Sequence, residues 1–199
     1  MEKRSSIFLT LIFTAALFIF CACTARAQGP SGQEQPRQET PSQEMERVFN
    51  DAGLRLLNRP MAPREFSLQL VGTESVNLRL SELRGKVVFL NFWATWCPPC
   101  RDEMPSMESL YRRYKDEGLE IVAVNLRESH EQVLAFMNEY ELTFPAVLDL
   151  DGRIGGAYGV QAIPTSFLIN REGQIVARLV GFKDWDTPQI HAAFETLLR

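Results

Sequence analysis

The chain has 199 residues, 45% of them hydrophobic, which is enough for one well-packed domain with residues left over for a targeting segment and a tail. Its formal charge is -4, and the part after residue 27 is more acidic still at -6, which argues against nucleic acid or an anionic lipid surface as the main partner. Four cysteines are too few for a disulfide-stapled scaffold, and their grouping at 21/23 and 97/100 separates a leader pair from an internal pair.

Residues 1–27 have the three parts of a secretion signal: Lys3 and Arg4 in front, an apolar run over 7–22, and Ala25-Arg26-Ala27 as a small-x-small cleavage site. Cleavage after Ala27 and export is the leading reading. Two alternatives stay open. The uncharged run 5–25 is close to the roughly 20 residues needed to span a bilayer and could be retained as an anchor. Ala22-Cys23 weakly resembles a lipidation site. All three outcomes place the domain outside the cytoplasm, and Cys21 and Cys23 read as small apolar residues of the signal. Residues 28–43 are rich in Gln, Glu, Pro and Ser without aromatic or branched aliphatic side chains, so a disordered tether is expected there.

Apolar residues at 45, 48, 49, 52, 56 and 57 predict an N-terminal helix within 44–59, with Ser42 as cap and Pro60 and Pro63 ending it. The domain proper is then 60–199. Runs over 65–71 and 76–80, split by Gly72-Thr73-Glu74-Ser75, predict a β-hairpin. The run 87–93 is apolar at nearly every position, as in a parallel strand covered on both faces. A long helix over 99–117, kinked at Pro105 and closed by Gly118, follows it. A buried strand over 119–126, a helix over 129–140 capped by Ser129, a short strand over 144–148 and a short helix or turn over 151–158 come next. Strands over 165–170 and 174–180 form a second hairpin, and a last helix over 187–198 carries Thr187 as cap and Pro188 at its first position. This order predicts an α/β fold with a mixed central sheet flanked by helices.

The chemistry sits in Cys97-Pro98-Pro99-Cys100, at the junction of the central strand and its helix. Two cysteines three apart at a helix start can bring their sulfurs within bonding distance. Only Cys97 lies ahead of the first turn, where free N–H groups and the helix dipole stabilise a thiolate, so Cys97 is the expected nucleophile and Cys100 the resolving thiol. Pro98 and Pro99 restrict the intervening loop and remove two N–H groups. A zinc site would need four ligands, and beyond this pair the exported part offers only His130 and His191, lone and far apart, so no metal is expected. Haem attachment would need a histidine at 101, which is Arg. No cofactor is expected other than a redox-active Cys97–Cys100 disulfide.

The segment Asn91-Phe92-Trp93-Ala94-Thr95-Trp96-Cys97-Pro98-Pro99-Cys100, followed by Gly159-Val160-Gln161-Ala162-Ile163-Pro164-Thr165, resembles the TlpA/ResA group of extracytoplasmic thiol-disulfide oxidoreductases in the thioredoxin superfamily. The resemblance covers about residues 60–198 and implies a thioredoxin-like fold with an added N-terminal β-hairpin and a central helix-strand insertion. It implies a cis-proline at Pro164 that lets the Ile163 backbone pair with a substrate peptide like an added strand. Trp96 matches an aromatic that shields the nucleophile, with a plain core role as the alternative. Glu103 matches a glutamate near the thiols that exchanges a proton with Cys100, with a solvated helix carboxylate as the alternative. Where thioredoxins carry a buried aspartate, this chain has Asn91, which cannot exchange a proton. Arg127, Glu128 and His130 follow a strand end on the expected active-site side. Trp185 reads as packing under the last helix, and Asp149 and its neighbours as scaffold.

The resemblance implies reduction of disulfides in exported proteins, apocytochrome c among the candidates, with reducing equivalents from a membrane thiol-disulfide donor. The chain is read as a monomer, with N-terminal membrane attachment left open. A thiol-specific peroxidase is one alternative; it would need a Pro-x-x-x-Thr-x-x-Cys setting, and Leu90 stands in the proline's place. An assembly or binding module whose cysteines hold a partner is the other.

Overall fold

The computed structural model describes residues 39–73 and 75–199, so the signal or anchor at 1–27 and most of the expected tether lie outside the described residues. The helix α1 spans Pro41–Asp51 and begins earlier than its apolar spacing suggests. Thr40, not Ser42, caps it: the Thr40 Oγ1 accepts from the Gln43 N–H while the Gln43 side chain accepts from the Thr40 N–H, a reciprocal capping box with Pro41 at the first position. Residues 41–43 of the expected tether are therefore helical. The helix also stops sooner than expected. Gly53 takes a left-handed φ of 64°, its N–H reaches Asn50 O, and the Leu54 N–H reaches Phe49 O, which closes the end in a Schellman motif. Leu56 and Leu57, expected on that helix, instead open strand β1, Leu56–Met61. Pro60 sits inside this strand, which is tolerated because β1 is at the sheet edge and has only β8 beside it.

The expected hairpin appears as β2, Ser67–Leu70, and β3, Asn77–Arg79, followed by a turn of 3-10 helix at Leu80–Leu83. Next come β4, Val87–Trp93, α2, Pro98–Tyr114, and β5, Leu119–Leu126. The helix α3, His130–Glu139, is capped by Ser129 and leads to β6, Ala146–Asp149, and the short α4, Arg153–Ala157. The chain ends with β7, Thr165–Ile169, β8, Ile175–Val180, and α5, Pro188–Leu198, capped by Thr187.

Among the described residues the eight strands form one sheet in the order β1-β8-β7-β4-β5-β6-β2-β3. The β4·β5 and β5·β6 pairs are parallel and the others antiparallel, so the sheet is mixed and the fold is thioredoxin-like. Alternation along β4 divides the core. Val87, Phe89 and Trp93 face a cluster built with α1, α2, α3 and α5, whereas Val88, Leu90 and Phe92 face a second cluster with Phe66, Leu80, Tyr158 and Phe167. Every residue of β4 is buried, as its near-continuous apolar run requires. The consequence for the site is rigidity: a strand packed on both faces delivers its C-terminal turn, residues 94–97, to a fixed place beside the cis-proline loop.

Candidate active site

Cys97 occupies the N-cap of α2, and the Cys100 N–H lies 3.3 Å from the Cys97 Sγ. Pro98 and Pro99 fill the first two helical positions and bring no N–H, so the third is the first donor a charge on Cys97 can meet. Cys97 and Cys100 are joined in a disulfide with Cα atoms 5.3 Å apart. Cys97 is 3% exposed and Cys100 fully buried, with Pro98 and Pro99 exposed between them.

The second half of the site comes from the loop before β7, the strand paired beside β4. The Ile163–Pro164 peptide bond is cis, and the Ile163 carbonyl oxygen lies 3.8 Å from the Cys97 Sγ. Two bonds brace this loop from behind: the Gly181 N–H donates to Pro164 O at 2.8 Å, and the Thr165 hydroxyl to Ala162 O at 2.6 Å. Trp96 is 68% exposed, which excludes the core alternative for it. As the last residue before the cap it projects from the turn, on the rim of a groove that Ile163 also lines.

Glu103 follows Cys100 by one helical turn, so the two share a face of α2. The carboxylate is fully buried, which excludes the alternative of a solvated surface charge. Its Oε1 accepts from Asn91 Nδ2 at 2.8 Å, and its Oε2 from the Trp185 indole N–H at 3.3 Å. Burial pushes its pKa up from 4.5 to about 7, against the lowering effect of hydrogen bonds from Asn91, Trp185 and the Lys183 main chain. Asn91 is held in turn by the β4·β7 register, which sets it opposite Ser166, whose hydroxyl accepts a second Nδ2 hydrogen at 3.0 Å. Trp185 packs on Phe89 at 4.3 Å between ring centroids, and its main-chain N–H donates to the Ser106 Oγ at 3.0 Å. It therefore both fills the core and reaches the carboxylate.

A second buried carboxylate supports the turn ahead of Cys97. Glu128 accepts from the Thr95 N–H at 2.7 Å, the Thr95 hydroxyl at 2.5 Å and Asn125 Nδ2 at 2.7 Å. It ties the loop after β4 to the loop after β5. His130, on the same segment, points elsewhere: its Nε2 accepts from the Gly72 N–H in the β2–β3 turn at 3.1 Å. Asp149 is scaffold, its two oxygens accepting from the Ile154 and Gly155 N–H groups of α4. The sequence reading missed the parts of Asn91, Ser166 and the Trp185 indole around Glu103, and of Thr95 and Asn125 around Glu128. The available signal was weak but real: Asn91, Asn125 and Ser166 are polar residues in mostly apolar strands.

A model of the AhpC/TSA family matches residues 60–178. The chain belongs to this family. Within it, the chain is similar to the thiol-disulfide oxidoreductase ResA of Bacillus subtilis (strain 168), 49% identical over 112 residues, covering 56% of this chain and 63% of that one. It is 47% identical over 108 residues to ResA of Bacillus thuringiensis (strain Al Hakam), covering 54% and 62%. The matched stretch thus spans less than two thirds of these relatives' own length. Among solved structures, the AhpC/TSA chain is similar to a protein assigned as the thiol:disulfide interchange protein DsbE of Chlorobium tepidum, with 33% identity, a TM-score of 0.65 and coverage of 72% of this chain and 99% of that one. StoA from Bacillus subtilis is 32% identical with a TM-score of 0.54, covering 70% and 98%.

Proposed function

We propose that the chain is a thiol-disulfide oxidoreductase that reduces disulfides of exported proteins through Cys97 and Cys100. The observation that carries this reading is the position of the Cys97 Sγ, at the cap of α2 and 3.8 Å from the Ile163 carbonyl, where an incoming strand would pair. In the reduced enzyme the Cys97 thiolate attacks a substrate disulfide, forming a Cys97–substrate bond and expelling one substrate thiolate, which takes up a proton. Glu103 takes the proton of Cys100, whose thiolate attacks the Cys97 Sγ and releases the second substrate thiolate. Two electrons pass to the substrate and the Cys97–Cys100 disulfide results, the state found in the structure. No hydrogen bond links Glu103 to either sulfur in this disulfide state among the described residues, so the exchange belongs to the reduced form. Asn91 and Trp185 hold the carboxylate on the Cys100 side, and Trp96, Pro98, Pro99, Ile163 and Pro164 form the surface that meets substrate.

Re-reduction is assigned to a membrane thiol-disulfide donor, and apocytochrome c is a candidate substrate. The place of action outside the cytoplasm rests on the signal-like residues 1–27. Among the described residues no helix is long and apolar enough to cross a membrane. Cys100→Ser tests the mechanism: the variant should accumulate a mixed disulfide through Cys97. Failure to trap any thiol partner, together with hydroperoxide consumption by the unaltered chain, would favour a peroxidase instead. The reducing direction predicts a potential near thioredoxin's, about -270 mV, and a value above about -180 mV would count against it.

A further inference from the structure

Beside the bridge lies an open groove of about 370 Å³, walled by Trp96, Leu126, Val160 and Ile163, with Arg127 on its rim. It shares two walls with the reactive sulfur, because Trp96 precedes Cys97 in the chain and Ile163 touches the Cys97 Sγ. The floor is open: a Cβ added at Gly156, one of its lining residues, would meet nothing within 4 Å. A bulky apolar side chain would fit between these walls, and covering the exposed indole of Trp96 would favour its entry.

Arg127 makes the groove more than an apolar slot. Among the described residues it is one of two non-glycine residues with a left-handed φ, here 62°, a conformation that costs an L-residue about 1 to 2 kcal/mol. Its main-chain N–H is fixed to Asp149 O at 3.1 Å. The guanidinium lies over Gly152, where a Cβ would come within 2.5 Å of Nε, so the glycine makes room for it. Among the described residues Arg127 forms no ion pair and no side-chain hydrogen bond. Asp149, whose main-chain oxygen holds the Arg127 N–H, spends both carboxylate oxygens on the start of α4, and Asp151 pairs with Arg153 at 2.6 Å. A guanidinium without a side-chain partner among the described residues thus sits on the rim of a largely apolar groove that opens at the nucleophile.

We infer that this groove is a specificity subsite for an extended, cysteine-bearing segment of a substrate protein, taking a bulky apolar side chain between Trp96 and Val160 and an aspartate or glutamate carboxylate on Arg127. The inference rests on the thiol-disulfide reading of Cys97 and Cys100 and names the substrate feature that reading leaves open.

The test uses the reduced chain and a set of peptides carrying one cysteine as its mixed disulfide with glutathione. Each has a leucine beside the cysteine and either a glutamate or a lysine placed in turn at the flanking positions. The readout is the ratio of reduction rates for the glutamate and lysine members of each pair, so that changes in overall rate cancel within a variant. At one flanking position the glutamate peptide should react about threefold to fivefold faster, the range an exposed ion pair supplies, and added salt should erode the difference. Arg127→Glu should invert the ratio. Arg127→Gly, which suits the left-handed backbone and so guards against misfolding, should bring it to about one. A ratio near one throughout in the unaltered chain, or a glutamate preference that survives in both variants, overturns the subsite alone. Failure of the unaltered chain to reduce any of the peptides, with no Cys97 adduct trapped in Cys100→Ser, overturns the thiol-disulfide reading and the subsite with it.

Discussion

Replacing Glu103 by glutamine should abolish a loss of stability that the unaltered chain suffers as pH rises from about 4.5 to 7. The native structure holds the Glu103 proton more tightly than the unfolded chain does, because burial raises its pKa from 4.5 to about 7. Below pH 4.5 both states are protonated and the full stability is present. Between 4.5 and 7 the unfolded chain has released the proton that the native chain keeps, so stability falls as pH rises, and above 7 it levels off. The gap corresponds to about 3 kcal/mol, a large share of the stability of an ordinary domain. Glutamine does not titrate, and with NH2 in place of one oxygen it cannot accept from both Asn91 and Trp185 as the carboxylate does, which adds a cost of about 1 to 3 kcal/mol that does not vary with pH. The glutamine chain should therefore be less stable by about 1 to 3 kcal/mol near pH 4.5, and the difference should move in its favour by about 2 to 3 kcal/mol by pH 8. Urea unfolding of both oxidised proteins across this range measures the difference directly, since every other titrating group cancels in the subtraction. A difference that stays flat from pH 4.5 to 8 would refute the claim that Glu103 is a buried, proton-retaining carboxylate. The same variant should resolve mixed disulfides more slowly, because it lacks the proton acceptor.

Trp185→Phe keeps the packing on Phe89 but removes the indole N–H that reaches Glu103 Oε2. Losing a donor to the charged form should raise the Glu103 pKa further, so the pH-dependent loss of stability should extend past pH 7 and deepen by about 1 kcal/mol. Glu128→Gln leaves three donors, the Thr95 N–H, the Thr95 hydroxyl and Asn125 Nδ2, facing a group with one acceptor oxygen. It should cost about 1 to 3 kcal/mol in urea unfolding and speed hydrogen exchange at the Thr95 amide, and unchanged exchange there would show that Glu128 does not hold the turn.

The elements legible in the sequence were those whose ends carry their own chemistry. Ser129, Thr187 with Pro188, and Gly118 each supply a cap or a left-handed stop, and the helices and strand they bound lie within a residue or two of expectation. The first helix was misplaced at both ends for opposite reasons. Its start was hidden by tether-like composition although Thr40 and Gln43 have capping-box spacing, and its end was carried too far because Leu56 and Leu57 continued the helical period past Gly53. Periodicity is blind to a residue that must turn left, so the local stop overrode the pattern.

The site divides along the same line. Cys97, Cys100 and Glu103 lie within two turns of one helix, and their proximity follows from spacing alone. What decides how Glu103 behaves does not. Asn91 reaches it from β4, steadied by Ser166 across a strand pairing 75 residues away in sequence, and Trp185 reaches it from 82 residues away. All three donors to this carboxylate, the Asn91 amide, the Trp185 indole and the Lys183 main chain, are neutral. Neutral donors soften the cost of burying a charge without cancelling it, whereas a cation would have fixed Glu103 as permanently ionised. The choice of asparagine, which first reads as the loss of thioredoxin's acid, is what leaves a glutamate one turn past Cys100 able to hold and release a proton near neutral pH.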